Sequence, residues 1–112
     1  MGKEEIEKSK THITVRIIEY MDDAVVIKTI LKKTTGSVSV MSFDKGQGLP
    51  DRSTPFDTFV QVIDGMAEII INGESNRLET GSSIVIPAHT QSSIRQNGRF
   101  KLIETVIKSG YE

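Results

Sequence analysis

Few residues in this 112-residue chain are of types that do chemistry readily, and their spacing narrows what that chemistry can be. Cysteine is absent, which excludes disulfides, thiolate metal ligands and sulfur nucleophiles together. Only two histidines are present, His12 and His89. Ser92 has His89 three residues before it, but no third group to orient the base is evident, so nucleophilic serine chemistry is not expected. A metal site needs several convergent ligands, so His89 reads as a surface or rim residue and His12 is given no role. One cation and several hydroxyls, Arg52, Thr54, Thr58 and Ser92, are set apart only by their places in the spaced frame given below. A guanidinium is permanently charged and has no lone pair to offer, and neutral hydroxyls are weak metal ligands. Such a set suits hydrogen bonding to a carboxylate, a phosphate or a sugar. If Arg52 is buried it needs a partner, and Asp51, Asp57 and Glu104 are the carboxylates considered. Glu104 stands out because it interrupts the apolar run of Leu102, Ile103, Val106 and Ile107, and Gln61 similarly sits among apolar neighbours.

The elements that must position these residues read as strands. Runs rich in Val, Ile, Thr and Phe are expected at 14–20, 25–31, 37–43, 59–63, 67–71, 83–86, 92–95 and 99–107. Asp64-Gly65, Asn72-Gly73 and Asn97-Gly98 are dipeptides that tolerate the positive φ of tight hairpin turns. The segments Ile69, Ile70, Ile71 and Ile84, Val85, Ile86 are apolar on both faces, as in strands covered once by a core and again by another layer or a second subunit. No stretch carries a long 3.6-residue apolar period, so the fold is expected to be all-β and antiparallel, closed as a jelly-roll barrel. Pro50 and Pro55, with Gly46 and Gly48, mark 45–58 as an ordered loop.

The bulk properties set limits on function. At this length one domain is expected, and 37% hydrophobic with 26% charged residues is ordinary for a globular chain. A formal net charge of -1 gives no basic excess for tracking phosphates, so nucleic acid is not expected as a partner. The N-terminus is charged and no apolar run is long enough to span a bilayer, so the expected location is cytoplasmic, without membrane attachment. Residues 1–12 are expected to form a flexible arm and 13–112 the domain.

The spacing of the punctuating residues is specific. Five residues separate Gly46 from Arg52, one separates Arg52 from Thr54, three Thr54 from Thr58, and six Thr58 from Gly65. After fifteen more come Gly81, Pro87, His89, Ser92 and Gln96, with gaps of five, one, two and three. This frame resembles the two conserved motifs of the cupin superfamily, over roughly residues 25 to 107. The resemblance implies a small single-domain cupin barrel in which Arg52, Thr54, Thr58 and Ser92 occupy the positions of the family's His, His, Glu and His metal ligands. It also implies that these four converge on the barrel interior. Asp57 and Glu104 are candidate further polar groups of the pocket, and Gln61 either faces the pocket or pairs across a subunit contact. The expectation that follows is a protein with no metal and no cofactor. It would be a non-catalytic homodimeric module that binds a small anionic or sugar-like ligand, or serves a structural role. The alternative is a metal-dependent cupin enzyme, isomerase- or dioxygenase-like, that recruits its metal through His89, Asp57 and Glu104.

Overall fold

The structure is a computed structural model that describes residues 5–110. It contains eight strands: β1 (Val25–Lys33), β2 (Gly36–Phe43), β3 (Leu49–Arg52), β4 (Asp57–Ile71), β5 (Glu74–Glu79), β6 (Ser83–Ile86), β7 (Ser92–Ile94) and β8 (Phe100–Ile107). A single 3-10 turn, Thr14–Arg16, is the one helical element among the described residues. All pairings are antiparallel, in the order β1-β2-β8-β4-β7-β3, with β5 and β6 also pairing β4. The sheet curls on itself into a jelly-roll barrel, so the all-β expectation holds.

β4 joins the two halves of the barrel. Its first part pairs β6 and β8, and its last part pairs β5 and β7. The expected Asp64-Gly65 hairpin does not form, and 59–63 and 67–71 belong to one strand of 15 residues. The register against β8 shifts between Val62 and Asp64, and Gly65 takes φ 83° at this irregularity. A Cβ there would lie 2.5 Å from the Arg99 carbonyl oxygen, so glycine lets the strand bend from one sheet into the other instead of reversing. The Asn72-Gly73 turn does form, with both residues at positive φ, and it leads into β5. β5 was not anticipated, because Glu74, Ser75, Asn76, Arg77 and Glu79 carry no strand composition; its pairing with β4 defines it. β3 likewise emerges from the expected loop at 45–58.

The core lies between the two layers. Along β4, Thr58, Val60 and Val62 are buried while Asp57 and Phe59 are exposed, the period-two pattern of a strand with one inner face. Val60, Val62, Ala67 and Ile69 meet Met41, Phe43, Ile86, Ile94, Phe100 and Leu102 from the other strands. Phe43 and Phe100, directly opposite in the β2–β8 register, stack with ring centroids 4.4 Å apart.

The expected strand at 14–20 is absent. This segment instead runs over the outer face of the sheet, where its polar backbone is met by side chains. The Lys101 ammonium donates to the Val15 carbonyl at 2.6 Å, the Ser42 hydroxyl donates to the Glu19 carbonyl at 2.9 Å, and Ile18 is buried. Tyr20 donates to Asp64 at 2.7 Å, and its ring lies 5.1 Å from the Arg99 guanidinium carbon and 4.9 Å from the Lys101 ammonium. Burial, followed by the Asp64 hydrogen bond, raises the Tyr20 phenol above its ordinary range. Residues Glu5 and Ile6 run beside β1, the Glu5 carboxylate accepting the Lys32 N–H at 2.7 Å and the Ile6 N–H reaching the Ile30 carbonyl.

Arg99 also pairs with Asp44 at 2.6 Å, and this sets a pH dependence. The Arg99 hydrogen bond first, then the N–H groups of Asp23 and Lys45, hold the Asp44 carboxyl down to about 2 from 3.8. A depressed folded pKa adds stability that is complete above the unfolded value and disappears as pH falls through the folded one. Asp44→Asn should therefore be less stable than the parent at neutral pH. The gap should close between pH 3.8 and about 2, as urea midpoints measured across that window would show.

Candidate functional site

Arg52 ends β3, Thr54 follows in the connection to β4, Thr58 is the second residue of β4, and Ser92 opens β7. Strand pairing brings them together. Arg52 lies opposite Ser92, and Thr58 sits between Ile86 of β6 and Val106 of β8. All four line one cavity of about 70 Å³, together with Thr90 and Glu104. Ile86 and Val106 supply its apolar wall.

The charge in this cavity is paired. Arg52 donates to the Glu104 carboxylate at 2.6 Å, tying β3 in one half of the barrel to β8 in the other. The Arg52 side chain is 40% exposed and Glu104 only 15%, so the carboxylate is the deeper partner. Thr54 and Thr90 use their hydroxyls locally, Thr54 donating to the Phe56 carbonyl and Thr90 to that of Ala88. Thr58 and Ser92 are each 6% exposed, and no described residue hydrogen-bonds either hydroxyl. Among the described residues no fully sealed side-chain polar atom lacks a partner, so these two oxygens face the cavity space.

Asp57 and Gln61 are not among the residues that line the cavity, so Asp57 is not the pocket group it was a candidate for, and of the two facings open to Gln61 the pocket is not the one taken. They alternate with Thr58 and Val60 along β4 and therefore point to the outer face. The Asp57 carboxylate accepts the Ala88 N–H at 2.8 Å and so braces the loop between β6 and β7. Parity could not place Gln61 before the register was known; its partners Ser83 and Ile103 now do. Thr90 was missed. It stands two residues before Ser92, the interval that returns a side chain to the same face, which is the signal that could have found it.

His89 is exposed and takes φ 61°, a left-handed conformation, while its N–H donates to the Thr54 carbonyl at 2.6 Å. It closes the cavity rim through its backbone, and its imidazole is not among the lining groups. Left-handed backbone costs a residue with a Cβ about 1 kcal/mol. His89→Gly should therefore be more stable than His89→Ala by about 1 kcal/mol in urea titrations. Equal stabilities would contradict the conformation at this position. His12 lies away from the cavity, its ring bonded to the Glu7 carbonyl.

The donor set does not suit a divalent metal. Arg52 puts a fixed positive charge at the cavity, and the hydroxyls beside it are poor ligands unless ionised. Among the described residues no three His, Asp or Glu side chains gather so as to hold a metal ion, and His89, Asp57 and Glu104 form no such group. Nor is any helix among the described residues long and apolar enough to cross a membrane.

A curled antiparallel barrel with this cavity between its layers is the fold of small cupin-domain proteins, and solved structures of that kind match it. The particular likenesses are as follows. A conserved protein of unknown function from Streptococcus pyogenes matches with a TM-score of 0.88 and 28% identity, over 94% of this chain and 92% of its own. A cupin 2 conserved barrel domain protein from Leptotrichia buccalis matches at 0.81 and 27%, over 84% of this chain and 46% of its own. A cupin superfamily protein from Desulfitobacterium hafniense matches at 0.84 and 20%, over 96% and 97%, a likeness of fold. Matches of fold extend to enzymes, a salicylate 1,2-dioxygenase among them. No family model matches the chain, and no curated protein does.

Proposed function

We propose that this protein is a non-catalytic cupin-fold binding module that works without a resident metal and takes a small polar ligand into the Arg52–Glu104 cavity. The observation that carries this reading is the ion pair itself. A guanidinium stands at the first of the four positions, and its charge is already balanced by Glu104 at 2.6 Å. A divalent cation entering there would meet that positive charge and find hydroxyls instead of imidazoles. At about 70 Å³ the cavity is well below the several hundred Å³ of sites for drug-sized ligands, which favours a molecule of a few heavy atoms. Melting temperatures taken with manganese, nickel and zinc, and separately with small polar compounds, test the reading. Stabilisation by a polar compound and none by the metals is expected, and saturable stabilisation by a metal would overturn it.

A second reading, a homodimer, rests on a different observation. Val85, Phe59, Thr105, Val38 and Leu31 lie side by side in register across β6, β4, β8, β2 and β1. All five point outward, and Val85, Phe59 and Leu31 are 55, 39 and 40% exposed, with Ile107 nearby at 48%. An uncharged row across five strands is the kind of surface that pairs with its copy, burying in an ordinary interface about 1,200 to 2,000 Å² in total. Light scattering should give twice the chain mass, falling to a single chain in Phe59→Lys. A monomeric mass for the unaltered protein at high concentration would contradict it.

A further inference from the structure

We infer that the ligand of this cavity is a small uncharged hydroxyl compound, a short polyol, and that the Thr58 and Ser92 hydroxyls are what it binds. This rests on the binding-module reading above and narrows its ligand from polar molecules in general to one chemical class. Three observations carry it.

The first is the pair of unpartnered hydroxyls. Thr58 and Ser92 are each 94% buried, yet no described residue hydrogen-bonds their oxygens, which open into the cavity. Because they open into the cavity, each has an unused donor and acceptor to offer a molecule that enters, with water meeting them otherwise. Each hydroxyl both donates and accepts, and a group that does the same satisfies it with either proton placement. A second hydroxyl is such a group.

The second is charge. An anion attracted to Arg52 would have to displace Glu104 or lie beside it, and a cation attracted to Glu104 would have to displace Arg52. The pair leaves the cavity without net charge, and an uncharged ligand disturbs neither partner. Arg52 still has further N–H donors, and Glu104 a further oxygen, to address a hydroxyl from the side.

The third is shape. Thr54 and Thr90 turn their hydroxyl protons to the carbonyls of Phe56 and Ala88, and while the Thr54 oxygen also accepts the Phe56 N–H, the Thr90 oxygen keeps its lone pairs as acceptors at the rim. Ile86 and Val106 supply an apolar wall for the carbon backbone of the ligand. A cavity of about 70 Å³ holds a few heavy atoms, and a water needs roughly 10 to 15 Å³ on the same measure. A three-carbon polyol matches both the room and the alternation of hydroxyl and hydrocarbon.

The experiment is an NMR titration of the full chain, following the backbone amides, with glycerol, sodium acetate, methylammonium chloride and nickel chloride in separate series. Glycerol should give saturable shifts at Thr58, Thr90 and Ser92, while acetate and methylammonium give none at these residues. Thr58→Val and Ser92→Ala keep the shape of the cavity closely, and each should weaken glycerol by up to about tenfold, the loss of one hydrogen bond. Val in place of Thr leaves the outer spectrum as the check that the fold is intact. Saturable shifts with acetate or methylammonium, or glycerol shifts unchanged in both variants, would overturn the polyol assignment while leaving a metal-free binding module standing. Silence in all four series would overturn it as well, leaving water as the occupant. Nickel shifts at the same amides would instead bring down the metal-free reading itself.

Discussion

Arg52→Met should cost about 2 to 3 kcal/mol of stability, Glu104→Met about 1, and the two together no more than the first alone. The asymmetry follows from depth. Glu104 is 15% exposed, so losing Arg52 strands a carboxylate against Ile86 and Val106 where water reaches it poorly. Arg52 is 40% exposed, so losing Glu104 leaves a guanidinium that can swing toward solvent. A half-exposed pair is itself of modest value, and its removal on both sides strands nothing. Urea denaturation of the four proteins gives the coupling directly. If Arg52→Met alone proved as mild as Glu104→Met, or if the double change were the sum of the two, Glu104 would not be a carboxylate that depends on Arg52.

Replacing Arg52, Thr54, Thr58 and Ser92 together by His, His, Glu and His should create a site for one divalent ion. The four side chains already face one cavity, so the change supplies nitrogen and carboxylate donors where hydroxyls and a cation stood. Without metal this protein should be less stable than the parent, because Glu104 has lost its partner and a second carboxylate has been added. With nickel or zinc at a hundred times the dissociation constant it should recover about 2.7 kcal/mol. Arg52→His alone should bind no metal tightly, since it offers one imidazole. Calorimetric titration separates the outcomes. Tight binding by the single variant, or none by a folded quadruple variant, would mean that the four positions do not share a centre.

The frame of glycines and prolines made the barrel legible, because those residues mark turns and bends that hold whatever the site contains. Gly65 shows where that legibility ended. Asp64-Gly65 has the composition of a hairpin, yet the chain bends there and continues as β4, with the Arg99 backbone packed where a Cβ would be. That contact lies 34 residues away in sequence and has no local signature. β5 escaped for a related reason, its polar residues being held by pairing with β4. The segment 14–20 failed in the opposite direction. Its branched residues have strand composition, but its Val15 and Glu19 carbonyls are met by the Lys101 and Ser42 side chains instead of by a neighbouring strand. Within the site, the resemblance to the cupin motifs grouped Arg52, Thr54, Thr58 and Ser92, and the interrupted apolar run of β8 singled out Glu104. Asp57 was a candidate for the pocket and Gln61 was left open, because their facing depends on which side of β4 is covered, and only the folded sheet defines that.

Metal content of the purified protein, before and after chelation, tests most directly whether an ion pair stands where the resemblance in sequence implies a metal site. The account predicts well under one divalent ion per chain and a melting temperature that chelation leaves unchanged. One tightly held ion per chain, whose removal lowers the melting temperature, would contradict it.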